Sequence, residues 1–207
     1  MNTDKKAEFM KIWTERVNRE YADNLLGWLE YETDFFTAPA STRHHGAYPG
    51  GLLEHSLNVY HRLRRIAVIE TYGSTLAPDL EDDTEETVAV LGLLHDVCKV
   101  GCYHMETKRR KNPETGRWED FQGYIFQDPL PLGHGEKSLF LIQRQMDLEA
   151  EEALAIRWHM GAYDDAVKGG AKAFNAAMAV TPWVRRLHQA DMIATWEDER
   201  SGDDGRA

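Results

Sequence analysis

The run Val88-Ala-Val-Leu-Gly-Leu-Leu-His95-Asp96-Val97-Cys98-Lys99 decides how this chain is read. Thr84-Glu85-Glu86 ahead of it places acid in the first turn of a helix. Val88, Leu91, Leu94 and Val97 recur at helical spacing, so one helix is expected from Thr84 to near Gly101. A His-Asp pair at the end of so apolar a run is unfavourable unless partners or a metal ion meet it. Adjacent helical side chains diverge by about 100°, yet both can reach one ion at the helix's polar edge. One pair cannot fill a coordination sphere, so further ligands must come from elsewhere. Two polar groups stand in similar apolar settings: His55 in Gly50-Gly51-Leu52-Leu53-Glu54-His55-Ser56-Leu57, and Asp191 in Leu187-His188-Gln189-Ala190-Asp191-Met192-Ile193. Together His55, His95, Asp96 and Asp191 offer two imidazoles and two carboxylates. That mixed set suits Mn, Fe, Co, Ni or Zn rather than a thiolate site, and leaves room for water and substrate.

The flanking segments are mostly helical in pattern. Phe9, Ile12, Trp13 and Val17, then Leu25, Leu26, Trp28 and Leu29, predict two helices between Asp4 and Phe36. The breaker-rich loop Thr37–Thr42 and a glycine-rich lead-in from His44 to Gly51 precede a long helix over Leu52–Thr71. Three further helices are expected near Gly133–Met146, Leu148–His159 and Pro182–Trp196, with an alanine-rich segment at Ala171–Ala179. Between them, 103–124 reads as two strands around the turn Asn112-Pro113-Glu114-Thr115-Gly116, a β-hairpin insertion. The fold class is therefore all-α. Residues 1–43 form N-terminal helices packing on the core, 44–197 the main domain, and 198–207 an acidic flexible tail.

Composition narrows the function. In 207 residues the chain has six Trp, eight Tyr and seven Phe, enough aromatic mass to build a core and to argue against disorder. Its 24 basic against 35 acidic residues give a net charge of -11, which repels polyanions; long nucleic acid is not an expected partner. No stretch approaches the roughly 18 apolar residues of a membrane span, and no apolar signal core follows Met1-Asn2-Thr3-Asp4-Lys5-Lys6. Only Cys98 and Cys102 are present, so a disulfide framework is excluded and a reducing cytoplasmic location is expected.

The order His55…His95-Asp96…Asp191, with the lead-in His45-Gly-Ala-Tyr-Pro-Gly-Gly-Leu-Leu-Glu-His55-Ser56, resembles the HD superfamily of metal-dependent phosphohydrolases. The likeness spans His44 to Trp196. It implies an HD-type helical core and a divalent metal at His55, His95, Asp96 and Asp191. Superfamily members with a second metal carry extra histidines between the His-Asp pair and the last aspartate. By that resemblance His134 and His159 hold a second ion, and Asp96 bridges the two. Mn, Fe, Co, Ni, Zn and Mg are not distinguished. The pattern is similar to phosphodiesterase-like branches, including HD-GYP proteins and the HD domain of certain 3′–5′ exoribonucleases. It lacks the Gly-Tyr-Pro motif of the former and the separate nucleic-acid-binding domain of the latter.

The resemblance implies hydrolysis of a phosphoester in a small, nucleotide-sized substrate, with Asp96 and Lys99 as catalytic residues. Lys99 would also offset phosphoryl charge, and His45 and Lys137 would contact the substrate. Alternatives are a mononuclear nucleotidase or deoxynucleotide triphosphohydrolase, with His134 and His159 as substrate contacts, and a non-catalytic nucleotide-binding HD protein. The basic cluster Lys108-Arg109-Arg110-Lys111 with Arg117 reads as a solvated hairpin face or as a lid drawing phosphate inward. Cys98 and Cys102 read as small reduced core residues.

Overall fold

A computed structural model describes residues 3–43, 46–74 and 79–199. The chain begins with α1 (Thr3–Arg16) and α2 (Ala22–Tyr31). Phe9 and Trp13, one turn apart on α1, are fully buried, and Phe9 packs edge-on against Phe36 and tilted against Phe35. These rings belong to the same core as the central helices, so the N-terminal helices share the main hydrophobic interior.

The centre consists of α3 (Gly51–Tyr72) and α4 (Asp82–Leu94). Gly51 can open α3 only because it lacks a side chain: a Cβ there would lie 2.0 Å from the Gly46 carbonyl oxygen. The two helices touch backbone to backbone at Gly92, where a Cβ would lie 2.5 Å from Tyr60 Cα. Gly92→Ala is therefore expected to cost about 1–3 kcal/mol of stability through overpacking. Nothing lies within 4 Å of a Cβ on Gly27 of α2, so Gly27→Ala should stabilise by about 0.5–1 kcal/mol. Urea unfolding of the pair checks both signs.

A two-stranded antiparallel hairpin follows, β1 (Tyr103–Lys111) and β2 (Trp118–Phe126), in register from Tyr103↔Phe126 to Lys111↔Trp118. Its basic face is partly neutralised across the strands. Arg109 pairs with Asp120 at 3.3 Å and Arg110 with Glu119 at 2.7 Å, which weakens the phosphate-attracting lid reading.

The remaining helices are α5 (His134–Gln143), α6 (Ala150–Trp158), α7 (Asp165–Lys168), α8 (Ala173–Val180) and α9 (Trp183–Ile193). Glu149 and Glu152 close the start of α6 with a reciprocal capping box. α3 packs against α4 and α9, α6 against α9 and α4, and α5 against α6. Two boundaries differ from the periodicity. The helix of the His-Asp pair stops at Leu94 rather than near Gly101, and α9 ends at Ile193, passing into a π-helical turn over Ala194–Asp198. Asp198 and Glu199, expected in the tail, lie against α3: Asp198 accepts from Arg62, and Glu199 meets His55. Residues 200–207 of that tail lie outside the described residues.

Candidate metal centre

The early end of α4 answers a question its sequence poses. In a continuing helix, His95 and Asp96 would diverge. Instead His95 caps the end of the helix, and Asp96 drops to φ -104, ψ 17 before a short 3-10 turn, Val97–Lys99. That sparsely populated backbone region is common at functional sites, and here it sets both side chains in one cluster.

Two of the buried histidines are aimed by the same device. His95 and His159 each follow the last residue of their helix, where carbonyls lack helical partners. The Nδ1–H of His95 donates to the Gly92 carbonyl at 3.1 Å, and that of His159 to the Ile156 carbonyl at 2.7 Å. A carbonyl only accepts, so each proton sits on Nδ1 and each Nε2 presents a lone pair. His55, on the second turn of α3, is held similarly: its Nδ1 lies 2.8 Å from Glu199 Oε1. This carboxylate–histidine arrangement is the usual support of a metal-ligating imidazole.

The Nε2 atoms then converge. Those of His55 and His95 are 3.2 Å apart, with Asp96 Oδ2 and Asp191 Oδ1 each 3.3 Å from His55 Nε2. With both Nδ1 atoms committed as donors, the two Nε2 atoms face the carboxylates, a donor set that suits a cation. A few ångströms away, Asp96 Oδ1 lies 2.7 Å from His134 Nε2 and 3.6 Å from His159 Nε2. His159 Nε2 is fully buried and has no hydrogen-bond partner among the described residues. A buried lone pair beside a carboxylate is suited to a cation, so the donor set fits divalent metal. Among the described residues, ligand atoms lie within 4.8 Å of one another in three groups: His55, His95 and Asp191; His95, Asp96 and His159; and Asp96, Cys98 and His134.

Burial pushes the His95 pKa down to about 3, outweighing the nearby Asp96, so its ring is neutral and free to ligate. Burial opposes the charge on Asp96, but Lys99 and the rings of His95 and His134 hold its pKa well below the usual range. Asp191 is likewise lowered, its burial outweighed by the bond to His55.

The structure thus brings His55, His95, Asp96, His134, His159 and Asp191 together. Lys99 joins them, its Nζ 2.7 Å from Asp96 Oδ2 and its side chain lining the adjacent cleft. Lys137 does not. It sits one turn beyond His134 in sequence, but is buried, donating to Asp128 Oδ1 at 2.5 Å and lying 3.1 Å from Cys102 Sγ. Asp128 neutralises it there, and unlike Lys99 it does not line the cleft, which speaks against the expected substrate contact. His45 lies outside the described residues.

Three residues had no ligating or supporting role in the sequence reading. Glu199 lay hidden in an acidic tail that looks solvated. His188 pins the turn after α6, its Nδ1–H donating to the His159 carbonyl at 2.7 Å, and the His188–Asp191 spacing on one face was the available signal. Cys98 packs beside His134. The cluster forms the floor of a cleft of about 280 Å³, walled by Ala40, Ser41, Met160, Tyr163, His188, Met192 and Thr195.

The HD-domain family model matches residues 52–198, a span holding all six clustered histidines and aspartates. No curated protein and no solved structure matches the chain. No helix among the described residues is long and apolar enough to cross a membrane.

Proposed function

The chain belongs to the HD-domain family, a superfamily of metal-dependent phosphohydrolase type, and on that premise we propose that it hydrolyses a phosphoester in a nucleotide-sized substrate through a site for two divalent ions. One observation carries the reading: the two oxygens of Asp96 face different histidine clusters. Oδ2 faces His55 and His95, at 3.3 and 3.6 Å, and Oδ1 faces His134 and His159, at 2.7 and 3.6 Å. Asp96 would therefore be shared, with His55, His95 and Asp191 completing one position and His134 and His159 the other. Such ions supply Lewis acidity toward phosphoryl oxygens and lower the pKa of a water to near neutrality.

The chain's own residues do the rest. Glu199 fixes the ring of His55, and His188 fixes the backbone of His159, so the ligands are set before substrate arrives. Lys99 keeps its charge despite burial because Asp96 outweighs the desolvation, and it faces the cleft, placed to offset negative charge on a phosphoryl group. The cleft lies near the lower end of ordinary ligand pockets, roughly 300–1,000 Å³. With the net charge of -11, that favours a nucleotide over a polymer.

Elemental analysis after cobalt loading and desalting tests this, paired with hydrolysis of bis(p-nitrophenyl) phosphate and p-nitrophenyl phosphate. Two ions per chain are expected, falling to one in His134→Ala, with turnover that requires metal. One ion in both proteins would turn the reading to a mononuclear nucleotidase. A fully loaded protein inert toward esters and nucleotides would turn it to a non-catalytic binder.

A further inference from the structure

We infer that Cys98 is itself a metal ligand, at the position formed by Asp96 and His134, so that this position pairs a thiolate with imidazole and carboxylate and favours thiophilic ions such as zinc or cobalt. The inference rests on the two-ion reading above. It begins with a contrast between two buried cysteines four residues apart. Cys102 behaves as a structural thiol, its Sγ donating to the Cys98 carbonyl at 3.3 Å and lying near Lys137. Cys98 makes no such bond. Its Sγ has both ring nitrogens of His134 at 3.5 Å, and those are its polar contacts among the described residues.

That placement is built. The backbone N–H of Cys98 donates to the hydroxyl of Ser138 at 3.1 Å, and both residues are buried. Ser138 lies one turn beyond His134 on α5, so the bond locks the 3-10 turn carrying Cys98 against the helix carrying His134. The ligand atoms of Asp96, Cys98 and His134 lie within 4.8 Å of one another. A second feature points independently to a ligand at the same carboxylate. The Nε2 of His159, fully buried and without a hydrogen-bond partner among the described residues, is aimed at Asp96 Oδ1 from 3.6 Å. An S/N/O set of this kind suits zinc, which takes sulfur, nitrogen and oxygen donors. Thiolate softness selects against magnesium and manganese, which prefer oxygen. On ligation the thiol proton leaves to solvent, since a coordinating thiol is deprotonated.

Cobalt(II) provides the test, because thiolate ligation adds a near-ultraviolet charge-transfer band that nitrogen and oxygen donors lack. Metal-free protein is loaded anaerobically and its cobalt content measured alongside the spectrum. The parent and Cys102→Ser are expected to bind two ions and show the band. Cys98→Ser should lose the band and weaken zinc at one position by about tenfold to a hundredfold or more, given that even supporting residues are worth that much. Zinc absorption spectroscopy of the unmutated protein adds a readout that no folding defect can obscure: a sulfur neighbour at about 2.3 Å. Two bound cobalt ions with no sulfur band, or a band lost in Cys102→Ser instead, overturn the Cys98 assignment and leave the two-ion reading standing. One ion or none, with no sulfur band, overturns both.

Discussion

Replacing Asp96 with alanine is expected to strip the protein of both metal ions and to abolish metal-dependent hydrolysis. The two oxygens of Asp96 face different histidine clusters, one oxygen to each. A Lewis-acid ion contributes several kcal/mol to a phosphoryl transition state, and each 1.4 kcal/mol is about a tenfold change in rate. The loss should therefore be about a thousandfold or more. Asp191→Ala is the comparison that makes the result informative. Its carboxylate meets His55 and not the His134 side, so that variant should lose one ion and keep the other. Asp96→Ala also leaves Lys99, 13% exposed, without its counter-ion, and some instability is expected from that alone. The double variant Asp96→Ala, Lys99→Met removes the stranded charge and should be better folded yet equally metal-free. Asp96→Ala retaining two cobalt ions per chain would remove this residue from the centre of the site.

The long helices were legible because their apolar faces repeat at the helical period, and the hairpin because its strands flank an Asn-Pro-Glu-Thr-Gly turn. The end of α4 was not. Its apolar pattern continues through Val97 with no glycine or proline at His95-Asp96, so local sequence asks for more helix. The break belongs to tertiary structure, where the 3-10 turn is tied to α5 through Ser138. At the site, His55, His95, Asp96 and Asp191 stood out as polar groups in apolar runs, whereas His134 and His159 rested on family resemblance. Lys137 shows the limit of spacing arguments. Three residues past His134 put it on a neighbouring face, but Asp128, in the loop before α5, turns its ammonium inward. Glu199 failed for the opposite reason: in a run as acidic as Glu197-Asp-Glu, nothing in the chain marks which carboxylate is buried against a histidine.

Arg19→Ala is expected to be among the most destabilising single changes, although nothing in its surroundings in sequence singles it out. Arg19 lies between α1 and α2 and grips Glu152 of α6 with two parallel bonds, 2.7 and 2.9 Å, while a third contact at 3.2 Å reaches Glu86 of α4. Glu152 is 1% exposed. Its pairing fixes the start of α6, where Glu152 also accepts the Glu149 backbone N–H at 3.0 Å in the capping box. Truncating the arginine leaves a buried carboxylate without its counter-ion, a change that costs about 3–5 kcal/mol. That is a large share of the roughly 5–15 kcal/mol that holds a domain folded. For a chain of this size it corresponds to a fall in Tm of about 6–20 °C. Neutralising the stranded acid separates this cause from lost packing. Arg19→Met with Glu152→Gln keeps the volume, removes both charges, and should recover most of the loss. A single variant that costs under about 1 kcal/mol would mean that water reaches Glu152 and that the pair behaves as a surface ion pair. The site should feel the change only through stability. His159 lies seven residues along α6, about 10 Å at 1.5 Å per residue, so folded Arg19→Ala is expected to keep its full metal content while melting early.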